Sequence, residues 1–257
     1  MKPFRVLDPN SRERVARGLC ALAVMTKAPQ AGRVKTRLVP PLTPEEAAEL
    51  NKCFLRDTAA AISSACSRRP VGDEGKTARS SPIAVYTPVG AESAYTDVLP
   101  ADFSLLPQRG DKFGERLYFA VEDLFECGFG SVCLIDSDSP TVPGKDFKQA
   151  VELLSTIEDR VVLGPSDDGG YYLIGVKKPH RHLFEQIDWS TERVLNQTIQ
   201  RATEIGIEVK LLPTGFDVDD DASLRRLCNE LLTNATSADA APFTREFLAS
   251  FVERKRL

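Results

Sequence analysis

Apolar and polar positions fall into blocks along this chain. "GLCALAVM", residues 18–25, is almost unbroken in its apolarity, as a strand buried on both faces must be. "TPEEAAELNKCFLRDTAAAISSAC" then repeats apolar residues at helical spacing through Ala47, Leu50, Phe54, Ala61 and Ala65. Its start carries Thr43 as cap, Pro44 in the first turn and Glu46 to complete a capping box. "PIAVYTP" and "FSLLPQ" predict two further strands, and "FGERLYFAVEDLFECG" a helix with Leu117, Ala120, Val121 and Leu124 on one face and Gly128 as its stop. "SVCLIDSDSP" is a strand running into acids, and "DFKQAVELLST" a helix. "RVVLGP" and "YYLIGV" are strands around a glycine turn, "STERVLNQTIQRATEIG" is a capped helix ending at Gly206, and "EVKLLP" is the last clear strand.

This alternation predicts an α/β fold: a Rossmann-like, mostly parallel sheet with helices on both faces. Between the first helix and "PIAVYTP", "SRRPVGDEGKTARSS" at 67–81 is polar and broken by Pro and Gly. It reads as a surface loop, either an inert insertion or a lid. Residues 1–18 read as a loose N-terminal extension and 19–257 as one domain.

Composition changes the picture mainly by exclusion. The chain has 257 residues, 42% of them hydrophobic and 27% charged, enough for one large domain with a sizeable core. A net charge of −4 excludes a broad basic face for nucleic acid. Six cysteines without a CxxC pair, and only two histidines, give no thiolate metal site, and most of the cysteines read as buried small residues in a reducing cytoplasm. No apolar run is long enough to span a membrane, the polar N-terminus lacks the core of a signal peptide, and oligomeric state stays open.

Charge is nevertheless concentrated locally. From Thr26 to Glu46 the loop after the first strand holds Lys27, Arg33, Lys35 and Arg37 and meets no acid before Glu45. In an open α/β sheet, ligands bind outside the carboxyl ends of the strands, and three acidic segments also follow strands there. Asp136 and Asp138, two apart at a strand end, share one face in extended geometry, as do Asp217 and Asp219 in "GFDVDDDASL". One or two acids of that run cap the next helix, but capping cannot employ Asp217, Asp219, Asp220 and Asp221 together. Such crowding calls for a cation, and Mg²⁺ takes one or two carboxylates plus phosphate oxygens.

The third segment, "GPSDDGGYYLIG", places Asp167 and Asp168 before Gly169 and Gly170. The glycines allow either close approach of backbone to a ligand or a plain hairpin turn. "GPSDD" is not the GxSxG of a serine hydrolase, and His180 and His182, in "KKPHRH", read as solvated surface. Neither a P-loop nor a GxGxxG sequence follows the first strand.

Taken in order, "KAPQAGRVKTRL", "RGDKFGERL", "DSDSP", "GPSDDGGYYLIG", "IDWSTERVL" and "FDVDDDASL" resemble a bacterial family of uncharacterised proteins. That family has the glycosyltransferase-A fold, within the nucleotide-diphospho-sugar transferase superfamily. The resemblance runs from about Leu19 to Leu232 and implies a nucleotide at the carboxyl edge of the sheet. More distantly, the basic loop looks like the triphosphate-holding loop of small guanylyl- and cytidylyltransferases.

On this resemblance Lys35 and Arg37 would contact phosphates, with Lys27 and Arg33 auxiliary. Asp138 would be the principal ligand of Mg²⁺ or Mn²⁺, Asp219 the second, and Asp136 and Asp217 further candidates. Asp168, Gly169 and Gly170 would shape the acceptor side, with Trp189, Ser190 and Thr191 touching it, although Ser190 serves equally as a helix cap. Arg109 and Asp111 would lie near the base or sugar with Glu115 and Arg116, which could instead pair structurally. Two departures stand out: Asp136 where the family often has Gly, and Asp221–Ala222–Ser223 where it usually has Pro-Glu-Asp.

The expected ligands are a nucleoside triphosphate or nucleotide-sugar and a small-molecule acceptor, with no nucleic acid. The dense basic loop slightly favours nucleotidyl transfer to a phosphorylated or anionic small molecule. The alternatives are glycosyl transfer from a nucleotide-sugar and a non-catalytic nucleotide-binding protein.

Overall fold

The computed structural model describes residues 4–16, 18–66, 79–233 and 240–255. Eight strands form one sheet: β1 (Arg5–Val6), β2 (Leu19–Lys27), β3 (Arg79–Thr87), β4 (Ser104–Pro107), β5 (Ser131–Ile135), β6 (Arg160–Pro165), β7 (Tyr171–Val176) and β8 (Glu208–Leu211). Their order is β1-β4-β3-β2-β5-β7-β6-β8. Every neighbouring pair is parallel except those involving β7, which runs antiparallel to both β5 and β6. The helices are α1 (Pro44–Ala65), α2 (Phe113–Glu126), α3 (Gly144–Leu154), α4 (Val194–Glu204), α5 (Asp221–Thr233) and α6 (Pro242–Lys255).

β2 shows why a continuous apolar run is needed. Cys20, Leu22 and Val24 join the core beneath α1 and α3, while Ala21 and Ala23 join the core beneath α2 and α4. Sheet order reverses at this strand, since β3 lies on one side of it and β5 on the other. The loops after β2 and β5 therefore splay apart and leave a crevice at their carboxyl ends.

The expected capping box of α1 forms: Thr43 Oγ1 accepts the Glu46 N–H at 3.2 Å, and Glu46 Oε2 accepts the Thr43 N–H at 2.9 Å. Gly128 sits at φ 101° beyond α2, as a stop residue must.

Three expectations are corrected. The segment before residue 19 is not wholly loose, because Arg5 and Val6 pair with Ser104 and Leu105 and Leu7 is buried. The polar loop expected over 67–81 ends earlier, since Arg79, Ser80 and Ser81 pair with β2; its remainder, 67–78, lies outside the described residues. α4 begins at Val194 rather than near Ser190. Ser190 stands at φ 63°, which cannot continue into a right-handed helix.

α6 is an element that the apolar pattern did not reveal. It packs on α1 and α5 through Leu248 and Phe251 in a third cluster with Leu50, Phe54, Leu227 and Leu231. Its start is held from α1, where the buried Asp57 carboxylate accepts N–H bonds from Phe243 at 3.1 Å and Thr244 at 2.8 Å. Among the described residues no helix is long and apolar enough to cross a membrane, and all six cysteines are free thiols.

Candidate functional site

Two adjoining cavities open at the crevice. One, of about 300 Å³, lies under the loop after β2 and is lined by Lys27, Arg33, Lys35 and Arg37 together with Asp138 and Asp219. The other, of about 440 Å³, lies over the ends of β5 and β7. It carries Asp136, Asp138, Asp168, Glu192, Asp217 and Asp219, one guanidinium from Arg37, and an apolar floor that includes Met25, Leu117, Leu134 and Ile174. Arg37, Asp138 and Asp219 belong to both and form the rim between them.

Lys35 stands at the centre of that rim. Its ammonium donates to Asp138 Oδ1 at 2.8 Å, Asp219 Oδ1 at 2.9 Å and the Val218 carbonyl at 2.7 Å, and lies 5.4 Å from the centre of the Phe54 ring. The side chain is only 5% exposed. Burial alone would lower its pKa, but the charges of Asp138 and Asp219 outweigh burial and hold it above the ordinary lysine value. Its backbone adopts the left-handed conformation, φ 48°, at a cost of about 1–2 kcal/mol. The sequence expectation put this ammonium on a phosphate. The structure commits all three of its N–H bonds to protein oxygens, so the cations left facing the basic cavity are Lys27, Arg33 and Arg37. Arg37 is 73% exposed, with its guanidinium 3.9 Å from Asp219.

The carboxylates outnumber these partners. Asp136 accepts a hydrogen bond from Ser139 Oγ at 2.8 Å, yet burial, and then the neighbouring Asp138 charge, push its pKa well above the usual range. Asp217, bonded by Ser166 Oγ at 3.2 Å, is pushed up to about 6 by burial and then by Asp168 and Asp219. A second cation would relieve both carboxyls, and hard oxygen donors suit Mg²⁺ or Mn²⁺. The donor set therefore fits such an ion, with Asp138 and Asp219 as the residues that would hold it. The four candidates do not form a ready-made cage. Among the described residues no group of three or more His, Cys, Asp or Glu is arranged to hold a metal by itself. Phosphate and water oxygens would have to complete the shell.

On the far side, Asp168 Oδ1 accepts the Gly170 N–H at 2.8 Å. Gly169 has φ 90°, and a Cβ there would lie 2.2 Å from the Glu192 carbonyl. Its small size thus serves a close approach of two backbone segments. That approach carries Trp189, Ser190, Thr191 and Glu192 to the cavity wall. Trp189 meets Phe113 edge to face, with ring centres 5.2 Å apart, and Gly114 leaves room for it, since a Cβ there would lie 2.5 Å from the indole nitrogen.

Arg109 and Asp111 are not brought to either cavity. Arg109 forks onto Asp123 with bonds of 2.8–3.0 Å, reaches Glu122 at 2.5 Å and stacks on Phe119 at 3.9 Å. Those partners, Asp123 foremost, hold its pKa above the usual arginine value. The Asp111 N–H is bonded by Glu115, which also accepts the Lys112 N–H and so caps α2. Arg116 donates to the Gly110 carbonyl. The structural alternative for Glu115 and Arg116 therefore takes the form of backbone bonds instead of a mutual ion pair. His180 and His182 pair with Asp159 and Glu204, well away from the crevice. Phe113, Glu192 and the apolar floor were not anticipated. The signals were that Phe113 lies within "RGDKFGERL" at a helix start and Glu192 within "IDWSTERVL".

The model of a family described as "Uncharacterized protein conserved in bacteria (DUF2064)" matches residues 74–191. The resemblance to an uncharacterised bacterial family is borne out there. A crystal structure from Desulfovibrio desulfuricans G20, provisionally named a nucleotide-diphospho-sugar transferase, superposes with a TM-score of 0.77 at 26% identity, covering 91% of this chain and 95% of that one. More distant likenesses include CMP:2-keto-3-deoxy-manno-octonic acid synthetase complexed with CTP, at TM-score 0.47 and 10% identity over 82% of this chain and 97% of that one. Another is Rv0371c from Mycobacterium tuberculosis H37Rv complexed with manganese, at TM-score 0.45 and 14% identity over 83% and 98%. These two carry no statement about the activity of this chain. No curated protein sequence matches it. The open, mostly parallel sheet is thus that of the nucleotide-diphospho-sugar transferases.

Proposed function

We propose that this protein is a Mg²⁺-dependent transferase that holds a nucleotide's phosphates in the basic cavity and carries out transfer in the acidic one. The observation that supports this is the shared rim. Arg37, Asp138 and Asp219 face both cavities, and Asp138 and Asp219 are the residues that would hold an ion at the boundary between them. When bound, the metal supplies charge stabilisation for the departing phosphate. Arg37 offers the same phosphate a forked, fixed cation, and Lys27 and Arg33 add positive charge around it.

Glycosyl transfer from a nucleotide-sugar is the reading the geometry supports best. Lys35 is consumed inside the protein, which leaves three cations for a diphosphate, and carboxylates that accept hydrogen bonds from hydroxyl groups suit a sugar. In this reaction the acceptor oxygen forms the new bond to the sugar carbon and the bond from that carbon to phosphate oxygen breaks. The acceptor's proton passes to Asp168, whose Oδ1 is engaged by Gly170 and whose Oδ2 is left for the exchange. Nucleotidyl transfer is the second reading, favoured by the density of cations in the loop after β2. The free thiols fit a reducing compartment, so we place the reaction in the cytoplasm.

Incubating the purified chain with Mg²⁺ and a panel of nucleotide-sugars or nucleoside triphosphates tests this. Release of nucleoside diphosphate supports glycosyl transfer and release of pyrophosphate supports nucleotidyl transfer. Binding without turnover would make the protein a nucleotide sensor, and no binding at all would sink the proposal.

A further inference from the structure

The charge of the larger cavity constrains its occupant beyond the reaction type. An anionic acceptor, such as a sugar phosphate, needs cations around the anion, because an uncompensated charge pair of like sign in a partly desolvated site is costly. Arg37 is the one cationic side chain among the described residues lining this cavity, and it stands on the rim shared with the phosphate side. Asp168 and Glu192 also line it, and among the described lining residues no other lysine or arginine accompanies them. The floor beneath is apolar, and Phe113, 55% exposed, stands edge to face with Trp189 at the entrance.

From this arrangement we infer that the acceptor is a neutral or amine-bearing molecule with an apolar body, seated on the floor and against the Phe113–Trp189 pair. A phosphorylated or otherwise anionic acceptor is excluded. The inference rests on the proposed division of labour between the two cavities and names the substrate class of the second. An apolar body removed from water on this floor contributes through burial, and an aromatic or alicyclic portion gains further from the ring faces. A hydroxyl or ammonium group at its head meets Asp168 and Glu192 as hydrogen-bond acceptors. A phosphate in the same place meets Asp168 and Glu192 as like charges, with Arg37 as the one lining cation to offset them. The same contrast opposes nucleotidyl transfer onto a sugar phosphate, which the dense basic loop by itself favoured.

Calorimetric titration of the full chain with three matched probes, phenylbutanol, phenylbutylamine and phenylbutyl phosphate, in Mg²⁺ with and without uridine or guanosine diphosphate, tests the inference. The alcohol and the amine should bind at least about tenfold more tightly than the phosphate ester, the difference made by one unfavourable or missing charge-assisted contact. Phe113→Ala, on a ring that is 55% exposed, should weaken alcohol binding while leaving diphosphate binding and the far-ultraviolet circular dichroism unchanged. Asp168→Asn with Glu192→Gln should narrow the gap between alcohol and phosphate ester. Equal or tighter binding of the phosphate ester, or alcohol binding indifferent to Phe113→Ala, overturns the inference. Failure of either diphosphate to bind would count against the basic cavity as a nucleotide site, and the probe preference measured without nucleotide would still decide the acceptor class.

Discussion

The two cavities of this protein lie side by side on one crevice, yet the chain builds them in different ways. The basic one draws all of its cations from a single loop, four of them between residues 27 and 37. The acidic one gathers residues from seven separate stretches, from Met25 to Asp219, and its shape depends on backbone packing such as that of Gly169 against Glu192. A charge-dense loop tolerates exchange of single cations, whereas an assembled pocket depends on each packing contact. Their only common currency is the rim, where Lys35 ties the loop after β2 to Asp138 and Asp219.

Removing the rim should break both sides at once. Asp138→Asn keeps the shape of the side chain but withdraws the charge that would hold the metal. Turnover should fall by about 10²–10³-fold or more, as when a principal electrostatic contact to the departing group is lost, with the far-ultraviolet circular dichroism retained. A fully active variant would remove Asp138 from the mechanism.

Lys35→Met should act next, and on stability. It leaves two carboxylates without their buried counter-ion, at a cost of about 2 kcal/mol, less than for a fully buried pair because Asp138 and Asp219 are partly exposed. Added Mg²⁺ or Mn²⁺ should raise the melting temperature of this variant more than that of the wild-type chain, because the ion then takes the place of the ammonium. Equal metal-induced shifts would show that Lys35 and the metal occupy separate places.

Smaller effects should separate the cavities. Arg33→Ala should weaken nucleoside diphosphate binding by about tenfold, the worth of one charge-assisted contact, and leave binding of an uncharged acceptor unaltered. Arg109→Ala should change neither affinity, since its guanidinium is spent on Asp123 and Glu122. It should cost about 1–3 kcal/mol by leaving the buried Asp123 carboxylate without its partner, as read by chemical denaturation. Loss of nucleotide binding in that variant would return Arg109 to the ligand.

The sheet was legible because its strands are buried on both faces and so carry runs such as "GLCALAVM" with little polar interruption. Positions after strands were legible for the same reason, and Lys27, Arg33, Lys35, Arg37, Asp138, Asp168, Asp219 and Trp189 do line the crevice. What escaped were relations between distant residues. Nothing local to Arg109 says that Asp123, one helix later, takes its charge, and nothing near Lys35 says that Val218 and Asp219 bury it. α6 escaped because its apolar residues answer to α1 and α5 rather than to the sheet, and because its cap is a side chain almost two hundred positions earlier, Asp57.

The knot at Lys35 also sets a sequence of events for a chain emerging from the ribosome. Until residue 219 has been made, the ammonium has neither its second carboxylate nor its carbonyl, and burying it would be unfavourable. The crevice is therefore among the last parts to settle, and a nascent chain halted before Val218 would present its sheet without a working mouth.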